Sequence, residues 1–396
     1  METARKLFFR HWRALLVVVS LSLIAYLLYF NRLSTLVPGY STAEINTYYQ
    51  ANDWHHIASN PINAPYTILV WFFTALLHRH ILATRVVAAG FGVVITFMFY
   101  VIIRQWYSFR IAFLGALLFA TSSGFLHFAR LGTGQVLQMF VLAFIAFMIW
   151  YQREHTYHKF VGYGLAATLA LLWYVPGMIW YEVLGLLVMR TYAQERWRST
   201  PRKHLVGWGA TLLLVLAPLL AASLGDMHIL LKTVGLPTSL STAIHPIANL
   251  RAAMLSASAH GFATPLLWIG RAPLLTASEL ILGALGVYGY LYQDRSPRAL
   301  LLASMAAVSI VLVSLGGAVT LASLIPLVYL FVIHGLRQLL GQWLNVFPRN
   351  PIARFTGIGI ICAMLFFSVL YQVRAYFVAW PHTATTLQAY NLPPPQ

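Results

Sequence analysis

Glu44 lies in Tyr40-Ser41-Thr42-Ala43-Glu44-Ile45-Asn46 and is one of nine acidic residues in a chain of 396. It follows the first long apolar run, a place where an enzyme carboxylate meets a substrate carried in lipid, or where an acid solvates an interfacial loop. The other acids are few enough to weigh singly. Asp53 precedes Trp54-His55-His56 and reads as a helix cap or a substrate contact. Glu182 falls inside an apolar run, where an acid is costly and finds a hydrogen-bond partner. Glu279 stands near the outer end of a later run and is expected to face the same cavity as Glu44. Arg130 closes an apolar run as an interfacial anchor would. His55-His56 and His78-Arg79-His80 raise the question of a metal. Adjacent helical residues point about 100° apart, so one segment does not offer both rings to one ion, and no metal ligand is assigned. Cys362 is the single cysteine, which excludes a disulfide framework or a cysteine metal site.

The elements that must hold these residues are membrane helices. The chain is 60% hydrophobic and 9% charged, with a mean hydropathy of +0.72, a balance incompatible with a water-facing surface. About eleven apolar runs approach the ~20 residues needed to cross a bilayer as helix. They fall near 12–30, 83–103, 111–128, 134–151, 160–173, 175–189, 205–223, 275–292, 299–315, 318–335 and 355–373. The fold expected is an all-α polytopic membrane protein, one membrane domain over 1–396. The first run lacks a small-residue cleavage site and reads as a retained span.

Alternating the spans puts 18 of the 26 basic residues on one side, beginning with Arg5, Lys6, Arg10 and Arg13. By the positive-inside rule the N-terminus is cytoplasmic and the tail 381–396 external. The same distribution accounts for the net charge of +17 without nucleic acid, for which no folded module is visible. Two external segments, 31–84 and 224–276, exceed the length of connectors and are expected to work. In the first, 44–57 has helical spacing and Pro65–Leu77 is apolar but too short to span, so both read as interfacial helices. The second is broken by Gly235-Leu236-Pro237, His245-Pro246 and Gly261, and Gly316-Gly317 marks a tight hairpin between two runs.

From Ser41 to about Trp150 the order of elements resembles the N-terminal half of glycosyltransferase family 39 and related membrane glycosyltransferases of the GT-C fold. These include protein mannosyltransferases and aminoarabinose transferases. The resemblance is carried by Ala43-Glu44 after the first span and by Asn63-Ala64-Pro65-Tyr66 in an interfacial segment. It continues through Arg85-Val86-Val87 leading a span, the turn Arg104 to Arg110, and Ala129-Arg130-Leu131-Gly132-Thr133-Gly134-Gln135.

The resemblance implies transfer of a sugar from a polyprenyl-phosphate donor, with inversion, to a protein, glycan or lipid acceptor at the outer face of a bacterial plasma membrane. Glu44 would then be the general base. Arg130, with Arg85, Arg251 and Arg374 as further candidates, would hold the phosphate, because a guanidinium donates two parallel hydrogen bonds to it. Asp53, Tyr66, Gln135 and Glu279 join them as expected substrate contacts, and a divalent metal is left open as cofactor. Two positions depart from the family pattern. Ala43 replaces the first acid of an Asp-Glu pair, and Gln135 replaces an acid that follows the arginine. A carboxamide does not ionise, so Gln135 offers no proton acceptor. The substitutions favour, as the alternative, a relative that binds lipid-linked substrate or a partner without transfer. A transporter is the competing class, though no internal repeat is visible.

Overall fold

The computed structural model describes residues 2–77, 80–143, 145–146, 159–188, 190–238, 245–260, 272–294 and 296–395. Its helices are α1 (Glu2–Ala25), α2 (Thr42–Asn52), α3 (Trp54–Ser59), α4 (Ala64–Leu76), α5 (Leu82–Trp106), α6 (Phe109–Thr121), α7 (Ser123–Arg130), α8 (Lys159–Leu172) and α9 (Met178–Val188). They continue as α10 (Arg190–Ser199), α11 (Arg202–Gly225), α12 (Met227–Val234), α13 (Pro246–Ser258), α14 (Ala277–Tyr288), α15 (Pro297–Ser314), α16 (Ile325–Val346), α17 (Pro351–Arg374) and α18 (Ala384–Ala389). A π turn, Tyr26–Phe30, extends α1, and a 3-10 helix, Gly134–Phe140, follows α7. The described residues contain no strand, only an isolated antiparallel bridge between Tyr40 and Leu392.

Burial sorts the long apolar helices into a centre and a rim. Half of the apolar window of α5 is buried, and 61% of that in Leu321–Val346, whereas α11 is 11% buried and the Pro351–His382 stretch 22%. The rim exposes Leu213, Leu214, Phe366 and Phe367, side chains that only lipid would surround. The chain is therefore a multi-pass membrane protein. Among the described residues four helices are long and apolar enough to cross alone, and α6 and α7 are a pair bent by 61°, the geometry of a broken span or a re-entrant loop. Six shorter apolar helices, among them α4, α9 and part of α15, accompany them. Most of the expected runs thus coincide with an apolar helix, of unequal length and in one case bent. The run 134–151 extends past the described residues.

Local chemistry explains the breaks. Ser122 is extended, with ψ 133°, and its hydroxyl caps α7 at the Phe125 N–H, so the run 111–128 folds as two helices. Asp53 is also extended and caps α3 through the His55 N–H, which splits the helix expected over 44–57. In the centre α14 and α16 meet through Gly286 and Gly335. A Cβ on either would strike a backbone carbonyl of the other helix, the close approach small residues allow between membrane helices.

Candidate functional site: a buried charge triad under the first loop

The Ser41 hydroxyl accepts the Glu44 N–H at the start of α2. The Glu44 carboxylate returns the contact by accepting the Ser41 N–H at 2.9 Å and its hydroxyl at 3.1 Å. This capping box fixes the carboxylate before any tertiary contact forms. Arg85, one turn into α5, then meets it side-on. Its Nε donates to Oε1 at 2.7 Å and its Nη2 to Oε2 at 3.0 Å. The guanidinium also donates to the carbonyls of Leu33 (3.1 Å) and Gly39 (2.8 Å) and lies 4.4 Å from the centre of the Tyr40 ring. A fifth donor, the Gly132 N–H, reaches Glu44 Oε1 at 3.1 Å. Gly132 has to be glycine here, because a Cβ would run into Thr84 and the carboxylate itself. Glu44 is 0% exposed and Arg85 3%. Five donors onto two oxygens with about four lone-pair positions saturate the carboxylate, and the ion pair ties the first loop to α5 and to the turn after α7.

Arg130 ends α7 beside this pair and is 4% exposed. Its Nη1 donates to the carbonyls of Leu28 (2.6 Å) and Tyr29 (3.1 Å), and its Nη2 to that of Arg32 (3.2 Å). Leu28 and Tyr29 belong to the last turn of the helical rod begun by α1, whose free carbonyls attract a cation. The rings of Tyr376 and Phe377 lie 5.7 and 5.0 Å from the guanidinium carbon. Among the described residues no carboxylate pairs with Arg130. Glu44 and Arg85 cancel, so the triad carries one uncompensated positive charge in a dry setting. Such a charge calls for an anion.

The three side chains line one cavity of about 20 Å³, which Trp380 and Tyr390 help to close. That volume holds about one water molecule. Arg130 Nε, Trp380 Nε1 and the Tyr390 hydroxyl are buried there and make no hydrogen bond to the described residues. Burial and then the Glu44 charge push the Tyr390 phenol well above its ordinary range, so it keeps its proton and is a donor.

The remaining expected site residues lie elsewhere. Asp53 is exposed as the cap of α3. Glu279 does not line the cavity. It is buried in a second capping box, with Thr276, and accepts from Tyr329 and Gln372 at 3.1 and 2.8 Å. The expectation that either acid lines the Glu44 cavity is corrected, since Asp53 is turned out by its own cap and Glu279 is held by its own donors. Arg374 is exposed, and Arg251 is exposed in a separate groove with His245 and Pro246. Tyr66 is fully buried and donates to the Thr84 carbonyl at 2.6 Å, bracing the start of α5. Gln135 is half-buried, its Oε1 without a partner among the described residues, and is not on the cavity. Glu182 accepts the indole N–H of Trp173 at 2.5 Å. His55 and His56 are exposed, and His78 and Arg79 lie outside the described residues. No group of three His, Cys, Asp or Glu converges among the described residues.

Trp380 and Tyr390 were not legible as site residues. The only sequence signal is a density of aromatics after the last span, Tyr376, Phe377, Trp380 and Tyr390, which equally suits an interfacial belt.

Comparison with known proteins bears on the fold that holds these residues. Residues 59–221 match the model of the dolichyl-phosphate-mannose-protein mannosyltransferase family, a segment that includes Arg85 and Arg130 and begins after Glu44. The crystal structure of ArnT from Cupriavidus metallidurans bound to undecaprenyl phosphate superposes with a TM-score of 0.52 at 14% identity, over 95% of this chain and 76% of that one. No curated protein matches the chain. The architecture is the GT-C fold of membrane glycosyltransferases.

Proposed function

We propose that the chain is a membrane glycosyltransferase whose donor is a sugar on polyprenyl phosphate and whose acceptor docks at the outer face of a bacterial plasma membrane, with the N-terminus cytoplasmic. The observation that carries this reading is Arg130, buried to 4% exposure on a cavity without a carboxylate partner among the described residues. A phosphate is the anion for which a guanidinium is best shaped. The undecaprenyl phosphate bound to ArnT, and the dolichyl-phosphate-mannose of the matched family, supply carriers of that chemistry.

In the reaction proposed, the acceptor oxygen forms a bond to the anomeric carbon while the bond from that carbon to the phosphate oxygen breaks on the opposite side, inverting the centre. The phosphate leaves with the electron pair and stays against Arg130. The acceptor proton passes to Glu44. For that the acceptor hydroxyl displaces either the Ser41 hydroxyl or the Gly132 N–H from the carboxylate, because all its lone pairs are otherwise engaged.

A second reading is favoured by that saturation. With five donors on Glu44, and Ala43 and Gln135 unable to replace it, the pair Glu44 and Arg85 serves as an anchor. The protein then binds the lipid phosphate without transferring sugar. Purified protein given a polyprenyl-phosphate sugar separates the two. Under the first reading the wild type releases polyprenyl phosphate and Glu44→Gln loses at least ~10²-fold, the usual weight of a general base. Under the second neither turns over while both retain the carrier. Wild-type turnover in Glu44→Gln excludes Glu44 as the base.

A further inference from the structure

We infer that the segment after α17, residues 375–395, completes the phosphate site, with the Trp380 indole N–H and the Tyr390 hydroxyl as its second and third donors, and that the docked segment is the closed position of a lid. The inference rests on the reading that Arg130 receives a phosphate. Its own support is the convergence of three unmatched buried donors, Arg130 Nε, Trp380 Nε1 and Tyr390 OH, on one cavity although they lie far apart in sequence. An unmade hydrogen bond on a buried donor is costly, and three on one cavity answer a ligand made of acceptors. A phosphate monoester presents several acceptor oxygens and no obligatory donor.

The segment is built to place these groups. Trp380 stacks on Tyr376, with ring centres 5.0 Å apart and planes at 16°, and meets Tyr390 edge-on at 5.5 Å. A short helix, α18, returns the chain toward the first loop, where Tyr40 N–H donates to the Leu392 carbonyl at 3.0 Å and Leu392 N–H to that of Tyr40 at 3.3 Å. This clasp lies beside Gly39, whose carbonyl holds Arg85. A Cβ on Gly39 would stand 2.5 Å from the Leu392 carbonyl oxygen and 2.8 Å from that of Tyr390. With the clasp closed the cavity is about 20 Å³, the room of about one water, so a phosphate enters only when the segment lifts. Lifting it breaks two backbone hydrogen bonds and exposes the buried Trp380 and Tyr390 rings, a cost that the bound phosphate has to offset.

The test is a titration of the purified full chain in detergent with undecaprenyl phosphate and, in parallel, undecaprenol, read by ligand-induced shift of the melting temperature and by native mass spectrometry. The wild type is expected to prefer the phosphate. Tyr390→Phe removes only the hydroxyl and Trp380→Phe leaves a smaller aromatic ring without the N–H, and each is expected to lower phosphate affinity about tenfold or more, the usual worth of a hydrogen bond to a charged group. Undecaprenol binding should stay unchanged and the ligand-free melting temperature of Tyr390→Phe should not fall, because the hydroxyl it removes makes no hydrogen bond to the described residues there, whereas a merely structural role would lower both. Gly39→Ala should release the segment to protease and lower the phosphate preference in the same way. If both phenylalanine variants keep the wild-type preference while Arg130→Gln loses it, the lid donors are wrong and the Arg130 reading stands. If the wild type shows no preference for the phosphate, both fall. Tighter phosphate binding in Gly39→Ala would also overturn the donor role, because it would make the segment an obstacle only.

Discussion

Glu44 and Glu279 are built by the same local device and end in opposite electrostatic settings. Each is the third residue of a helix, reciprocally capped by a hydroxyl, Ser41 for one and Thr276 for the other. Each is almost without exposure, 0% and 1%. Glu44 then receives a guanidinium side-on and a backbone N–H beside a cavity. Glu279 receives the neutral donors of Tyr329 and Gln372, and Gln372 also reaches Leu274 and Ser123. The helix start dictates where a carboxylate points, and only the tertiary partner decides what it does. One acid becomes half of a charge triad next to Arg130. The other ties α14 to α17, α16 and the cap of the broken span that carries Arg130.

Removing the cation at the first site should have the largest effect. Arg85→Gln leaves Glu44 as a buried unpaired charge, and breaking a buried pair from one side costs on the order of 3–5 kcal/mol. Unfolding of the variant in detergent, followed by circular dichroism against denaturant, should show a loss of that size or a failure to accumulate folded protein. Stability within about 1 kcal/mol of wild type would mean that the three remaining donors, the Ser41 N–H and hydroxyl and the Gly132 N–H, hold the carboxylate unaided, and the contrast with Glu279 would disappear.

Much of this contrast was hidden in the sequence for reasons that can be located. Serine or threonine three residues before glutamate is visible at both sites as a capping signal. Hydropathy gave the polytopic all-α class, and Gly316-Gly317 marked its turn. Arg85, however, lies 41 residues from Glu44, and no periodicity reports a contact across that distance. The cavity takes Leu33 and Glu44 from one end of the chain and Trp380 and Tyr390 from the other. Candidates chosen by type and by the expected side of the membrane, such as Arg251 and Arg374, had no such constraint and fall on exposed surface. Helix continuity failed where the caps at Ser122 and Asp53 divide the expected run 111–128 and the expected interfacial helix 44–57, because a side-chain hydrogen bond to a free N–H ends one helix and starts the next.

Glu279→Gln should have an intermediate effect. The amide keeps the shape and one acceptor, its NH2 facing either the Tyr329 hydroxyl in place of Oε1 or Gln372 and Thr276 in place of Oε2, and in both cases hydrogen bonds to a charged group worth about 1.5–3 kcal/mol are weakened. The loss should appear as lower stability, together with weaker binding of undecaprenyl phosphate if the cap of α7 loosens. A Glu279→Gln variant less stable than Arg85→Gln would reverse the ranking and make Glu279 the more strained carboxylate.

The smallest effect belongs to Asp53, the same capping chemistry without burial. Its carboxylate accepts the His55 N–H at 3.0 Å in an exposed position. Asparagine caps as well as aspartate, so Asp53→Asn should leave stability and lipid-phosphate binding unchanged, whereas Asp53→Ala should cost about 1 kcal/mol through the lost cap. Both variants should keep the same preference for undecaprenyl phosphate over undecaprenol, because no contact from Asp53 reaches the cavity. Measuring that preference beside the melting temperature separates the two roles. A loss of phosphate preference in Asp53→Asn, with the cap intact, would show that an exposed carboxylate in the first loop acts on the ligand, and burial would no longer mark which of the three acids belongs to the site.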